Sequence, residues 1–366
     1  MTRGSFSDES LWDNAATESL SRLDPDSLLK DLTVPQRAAV TQRGGPLLVI
    51  AGAGSGKTRV LTRRIAHLLA TGDARPYEIM AITFTNKAAD EMRRRVVDLV
   101  GAEANRMWVS TFHSACLRML RAHAEVLGYQ RGFTIYDAGD AETAVERIMK
   151  ELNLDTKRLS PRSVSAAISA AKNEMLSPDA YFDHYGDDPQ RRRIAEIYQL
   201  YAKRLMLANA MDFDDLLLNA VAMLKKDDVI RVNYQDRFKY LLVDEFQDTN
   251  GVQNQLVMML AEKHRNLCVV GDSDQSIYRF RAADVRNILQ FEQRFPDASV
   301  ILLEQNFRST QTILDAANAV ITNNVSRKPK SLWTDQGAGD PITRYRAEDE
   351  HDEAEWVAHE IVRLRS

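Results

Sequence analysis

The residues with the clearest chemical potential form one short run, Ala51-Gly52-Ala53-Gly54-Ser55-Gly56-Lys57-Thr58. Its glycines let successive backbone N–H groups wrap a phosphate, and a helix opening at Lys57 adds positive potential there. Lys57 reaches the outer phosphates and the Thr58 hydroxyl can hold magnesium. The strict pattern places glycine where Ala51 stands. The alternative is a Gly-rich strand–helix turn with a chance Lys-Thr, which the flanking elements disfavour. A second run ends in acids: Tyr240-Leu241-Leu242-Val243 leads into Asp244-Glu245. Asp244 suits the magnesium shell, and Glu245 can orient and deprotonate an attacking water. Acids at strand ends are also common on surfaces, so the pair gains its meaning beside the phosphate loop.

Such a site needs a scaffold, and the apolar patterning supplies one. Leu47–Ile50, Met80–Phe84, Trp108–Thr111, Tyr240–Val243, Leu267–Val270 and Val300–Leu303 read as buried strands. Thr58–Leu69 and Lys87–Val97 read as helices following two of them. Continuous β-branched runs separated by helices predict a parallel sheet covered on both faces. From about 113 to 210 the alternation gives way to helical periodicity, at Ala141–Leu152, Ser163–Glu174 and Arg191–Leu207. A second α/β unit is expected from 301, with a helix at Thr310–Asn323, a strand at Ile342–Tyr345 and a helix at Asp352–Leu364.

The 366 residues fit two or three domains of ~100–200 residues each. The net charge of -4 excludes a histone-like coat but allows a local basic groove. Two cysteines, Cys116 and Cys268, make a disulfide framework improbable and point to the cytoplasm. No apolar run approaches the ~20 residues of a membrane span. Residues 1–22, rich in Ser, Asp and Glu, read as a flexible arm with a potential short helix at Leu11–Leu20.

Further strings appear in a fixed order: Thr33-Val34-Pro35-Gln36-Arg37, Thr83-Phe84-Thr85-Asn86-Lys87, Thr111-Phe112-His113-Ser114, Met211-Asp212-Phe213-Asp214-Asp215-Leu216 and Asp244-Glu245-Phe246-Gln247-Asp248-Thr249. Gly271-Asp272-Ser273-Asp274-Gln275-Ser276-Ile277-Tyr278-Arg279-Phe280-Arg281 and Glu304-Gln305-Asn306-Phe307-Arg308-Ser309 follow. With the phosphate loop, this series resembles the superfamily 1 DNA helicases of the UvrD/Rep/PcrA group, over residues 32 to 366.

The resemblance implies a P-loop, RecA-like α/β fold. Residues 23–112 and 211–300 would form a first RecA-like ATP-binding domain, 113–210 an inserted helical domain and 301–366 the start of a second RecA-like domain. It also implies ATP and Mg2+ as cofactors, ATP-dependent 3′-to-5′ movement on single-stranded DNA, and work in repair or replication. Partners would be single-stranded DNA and single/double-strand junctions. Gln36 would read adenine, Arg59 and Phe307 would pack on the base, and Gly52, Ala53, Gly54, Ser55, Gly56, Lys57 and Thr58 would hold the phosphates. Gln275 would sense the γ-phosphate and Arg308 would act as an arginine finger, worth ~10³–10⁵ in rate. Phe84, Phe112, Tyr278 and Phe280 would stack on bases, with Thr85, Asn86, His113 and Arg281 adding polar contacts; a core role for Phe112 is equally open.

Three positions depart from the group's pattern: Phe280 for Trp, Phe307 for Tyr and Ala282 for Gly. Lys172-Asn173 is a weaker DNA candidate, whereas Arg93–Arg95 and Arg191–Arg193 read better as solvated helix faces. Group members continue for about as long again, so an N-terminal portion of a longer helicase, unable to unwind alone, is the expectation. A helicase–nuclease motor and a DNA-binding module with dead ATPase chemistry are the alternatives. Intact Lys57, Asp244, Glu245 and Gln275 oppose the second.

Overall fold

The computed structural model describes residues 23–279, 282–324 and 327–365. The expected arm at 1–22, and Phe280 and Arg281, lie outside the described residues. Six strands form one parallel sheet: β1 (Leu47–Ala51), β2 (Ile79–Thr83), β3 (Trp108–Thr111), β6 (Tyr240–Val243), β7 (Leu267–Gly271) and β8 (Ser299–Leu303), in the order β3-β2-β6-β7-β1-β8. β1, β2 and β7 are buried along their whole length. That burial explains why they carry unbroken apolar runs rather than an alternating pattern.

Each face of the sheet carries its own core. One gathers Leu48, Ile50, Met80, Ile82 and Val243 with the helices 112–123, 213–226 and 251–261. The other gathers Leu47, Val49, Ala81 and Val270 with the helices 34–41, 57–70 and 86–100. Local signals start these helices where the sequence places them. Thr33 and Gln36 form a reciprocal capping box, Thr85 caps Asn86–Val100, and Gly56 enters Lys57–Ala70 at φ +88°. That left-handed conformation favours glycine.

Two expected boundaries move. The helix Phe112–His123 buries Ala115, Cys116, Met119 and Leu120 against the sheet, as do Tyr129 and Phe133 after it. The stretch 113–133 therefore belongs to the sheet's core rather than to the helical insertion. A two-stranded parallel ladder, β4 (Thr134–Tyr136) with β5 (Ala210–Asp212), brackets the insertion. Between those strands the helices 138–151, 161–173, 178–185 and 189–207 form a separate core around Ile148, Ile168, Tyr198 and Tyr201.

The second correction concerns 301. Residues Ser299–Leu303 pair in register with Leu47–Ala51, so the boundary set at 301 cuts an edge strand of the first sheet. Beyond it the helices Gln311–Ile321 and Glu350–Arg365 form as expected. Ile342–Tyr345 is not a strand: the stretch is exposed and pairs with no neighbour among the described residues. Its alternation lacks a partner ladder, and an isolated strand satisfies none of its backbone groups.

Candidate functional site

The strands run parallel, so their carboxyl ends share one edge, where open α/β sheets hold ligands. There β1 delivers the phosphate loop, β2 Phe84-Thr85, β3 Phe112-His113, β6 Asp244-Glu245 and β7 Asp272–Gln275. Residues separated by over two hundred positions meet here. Lys57 Nζ donates to Glu245 Oε2 at 2.7 Å and to Gln275 Oε1 at 3.3 Å. Gln247 Nε2 donates to the same Glu245 oxygen at 3.0 Å.

Asp244 is buried and accepts the backbone N–H of Glu245 at 3.0 Å. Burial, reinforced by the charge of Glu245, raises its carboxyl to about 6. Glu245 itself is held at φ +49°, a left-handed conformation that a non-glycine residue adopts at a cost of ~1–3 kcal/mol. In this conformation its carboxylate accepts the Lys57 ammonium. Magnesium bound with a nucleotide takes one or two carboxylates plus phosphate oxygens. Asp244 and Thr58, the latter in the first turn of Lys57–Ala70, offer oxygen donors of the kind this requires.

Gln36 is buried, donating through Nε2 to Ser55 O at 2.9 Å and accepting Thr33 N–H at 3.1 Å. It braces the phosphate loop at the mouth of a cavity of about 100 Å³ lined also by Pro35, Leu303, Phe307 and Trp333. Arg59 is half-buried two residues after Lys57. On the opposite wall Phe307 N–H donates to Gly54 O at 3.0 Å, and Asn306 Nδ2 to Ala53 O at 2.6 Å. A Cβ on Gly54 would come within 2.9 Å of the Arg308 Cβ. Arg308 thus starts beside the phosphate loop while its side chain is exposed.

A larger cleft of about 740 Å³ adjoins this site. Thr85, His113, Asn173, Asp248, Tyr278 and Arg279 line it. Phe84 is half-buried at its wall and meets Phe112 edge-on, 5.9 Å between centroids. Of the two roles left open for Phe112, its 2% exposure favours the core one: the ring packs in the core behind Phe84, at the edge of the cleft lining. Thr85 accepts Ala88 N–H as a helix cap, and Asn86 is exposed beside it. His113 is held below its usual range by burial, partly opposed by Asp214.

Lys172 is not a DNA contact. It is buried, bridging Asp212 at 2.6 Å and Asp215 at 2.7 Å, where it ties the insertion to the first domain. The basic runs stay on helix faces, where Arg93 pairs Asp90 and Arg193 pairs Glu196. Phe213 escaped the sequence reading. It is 51% exposed and meets His113 edge-on at 6.0 Å, beside the cleft. Exposed aromatics next to a polar cleft are candidate stacking platforms.

Comparison with known proteins identifies the family. Residues 32–296 match the UvrD/REP helicase N-terminal domain and 301–366 the UvrD-like helicase C-terminal domain. The chain is 50% identical over 338 residues to a Staphylococcus epidermidis protein named ATP-dependent DNA helicase PcrA, covering 92% of this chain and 46% of that protein. It is 52% identical over 346 residues to ATP-dependent DNA helicase UvrD1 of Mycobacterium tuberculosis, covering 92% of this chain and 45% of that protein. The chain thus spans about half the length of the curated relatives it matches. No helix among the described residues is long and apolar enough to cross a membrane.

Proposed function

This chain belongs to the UvrD/REP helicase family, and from that premise we propose that it is the ATP- and DNA-gripping part of a 3′-to-5′ DNA helicase acting in repair or replication. The observation that carries the reading is the convergence of Lys57, Glu245 and Gln275 within hydrogen-bond distance at one end of the sheet. A cleft with aromatic walls opens next to them.

In the proposed mechanism Lys57 leaves Glu245 for the outer phosphates of ATP, so triphosphate binding frees the carboxylate. Glu245 then accepts a proton from the attacking water. Asp244 and Thr58 would hold Mg2+, which would supply charge neutralisation for the phosphates. Gln275 reads the γ-phosphate, and Gln36, Arg59 and Phe307 frame the base. Arg308 swings from its exposed position onto the transferring phosphoryl group. Phe84 and Tyr278 hold bases in the cleft and Phe213 one beside it, with Thr85, Asn86 and His113 along the strand. Phe280 and Arg281 are assigned to the same grip from sequence alone. Single-stranded DNA and its junctions with duplex are the proposed substrates.

Isothermal titration with a non-hydrolysable ATP analogue tests the nucleotide site. Lys57→Ala removes the loop's ammonium and should abolish tight binding. An unchanged affinity would take Lys57 out of the site.

A further inference from the structure

Besides the Lys172 cluster, the mechanism leaves unused a buried charged cluster that is bonded to Gln275. The Lys330 ammonium bridges the carboxylates of Asp272 and Asp274, although its side chain is only 3% exposed. Arg327 pairs with Asp274 at 2.8 Å and also donates to Lys330 O at 3.1 Å. Asp272 is the hub. Its Oδ2 accepts Gln275 Nε2 at 2.6 Å, its Oδ1 accepts Asp274 N–H at 2.9 Å, and its own N–H donates to Gln247 Oε1 at 2.9 Å. Gln247 in turn holds Glu245. A continuous set of bonds therefore runs from Lys330 through one carboxylate to Gln275 and, by a second branch, to Glu245.

The other end of the set is as firmly tied. Leu332 N–H donates to Asn318 Oδ1 at 3.2 Å, Trp333 N–H to Glu304 O at 3.1 Å, and Asn306 N–H to Trp333 O at 2.7 Å. The stretch carrying Lys330 is thereby bonded to the stretch carrying Arg308. Leu332 also presses on the phosphate loop, where a Cβ on Gly52 would come within 2.2 Å of its side chain. Two opposed pairs of charges at this depth are costly to bury unless their geometry is fixed, and removing one partner strands the other. Such a cluster does not slide, and any shift of the 304–333 stretch must be felt at Asp272.

We propose that Lys330 is a positioning residue for Gln275. Through its buried bridge to Asp272 it sets the carboxamide against Lys57 and so links the placement of the Arg308 stretch to the γ-phosphate end of the site. The proposal rests on the nucleotide reading above. It goes beyond that reading in assigning a role to a lysine that touches neither ligand.

The test compares affinities of the 366-residue chain for adenylyl imidodiphosphate and for ADP. Lys330→Met should weaken the triphosphate analogue about tenfold and ADP less than twofold, because Gln275 faces the outer-phosphate end. In a Gln275→Ala background the same substitution should change analogue affinity less than twofold, as expected for residues acting in one chain of contacts. Lys330→Gln keeps a donor for Asp272 and should show the same selectivity in smaller degree; it carries the test if Lys330→Met does not fold. The side-chain amide resonance of Gln275, assigned by its loss in Gln275→Ala, should move in both lysine variants without nucleotide. Equal weakening of analogue and ADP, full additivity with Gln275→Ala, or an unmoved amide resonance would overturn the proposal. If wild type binds neither nucleotide, the nucleotide reading fails, and the amide resonance alone still decides whether Lys330 positions Gln275.

Discussion

Phe84 and Phe112 touch each other, yet their environments assign them opposite jobs, and paired alanine substitutions separate the two. Phe112 is 2% exposed within the core shared by Ile82, Met119 and Leu217. Truncating such a ring costs roughly 3–5 kcal/mol of stability through lost burial and the cavity left behind. Phe84 is half-buried, so Phe84→Ala loses about 1 kcal/mol of apolar burial. It also loses the edge-on pair, worth ~0.5–1.5 kcal/mol. Its larger effect is on binding: one stacked base is worth ~1–3 kcal/mol, or about 5- to 150-fold in affinity. Fluorescence anisotropy with labelled oligo-dT and urea unfolding measure the two quantities on the same variants. Phe84→Ala should lose oligonucleotide affinity while staying folded. Phe112→Ala should lose stability, and its folded fraction should bind within about twofold of wild type. The reverse assignment, with Phe112→Ala weakening binding at unchanged stability, would refute the argument from burial.

Glu245→Gln should keep or tighten analogue binding, because Lys57 loses the carboxylate that competes for it; single-turnover hydrolysis should fall by ~10²–10⁴, and turnover within a few-fold of wild type would remove Glu245 as the base. Ala282 is held at φ +61°, so Ala282→Gly should be neutral to about 1 kcal/mol stabilising in urea unfolding, where alanine-to-glycine changes are ordinarily destabilising. Burial, aided by Glu245, raises Asp248 to about 6, and its Oδ1 lacks a hydrogen-bond partner. Its stabilising contribution is therefore full below the unfolded value near 4 and is lost as pH rises through 6. Asp248→Asn should gain stability relative to wild type between pH 4 and 7, and parallel stability profiles for the two proteins would contradict the shift.

Much of the nucleotide site was legible because its parts are local strings. A phosphate loop after an apolar strand, and two acids after another, declare themselves without knowledge of the sheet order. What the sequence withheld depends on partners far along the chain. Val300–Leu303 reads as a strand, but its place beside β1 is set by pairing with residues 252 positions earlier. Phe112 follows a strand like Phe84 does, and only the helix packed over it decides which ring is covered. Lys172 beside Asn173 reads as a weak DNA candidate until Asp212 and Asp215 close on it. Lys330, within Arg327-Lys328-Pro329-Lys330, carries no sign in its neighbours of the burial that makes it one of the least exposed ionic groups described. Phe213 stands between two acids, and nothing in those neighbours shows that its ring is exposed.

The central claim is that one chain grips a nucleotide and a single strand at sites that sense each other. Gln275 touches Lys57, and Tyr278, three residues later, lines the neighbouring cleft. Two ligands joined by so short a stretch should be thermodynamically linked, typically by 5- to 150-fold, and by the same factor in both directions. The direct measurement is the affinity for adenylyl imidodiphosphate with and without saturating oligo-dT, together with the affinity for oligo-dT with and without the analogue. The account predicts equal, reciprocal changes of at least fivefold that vanish in Lys57→Ala. Two affinities that ignore each other in the wild-type chain would contradict it.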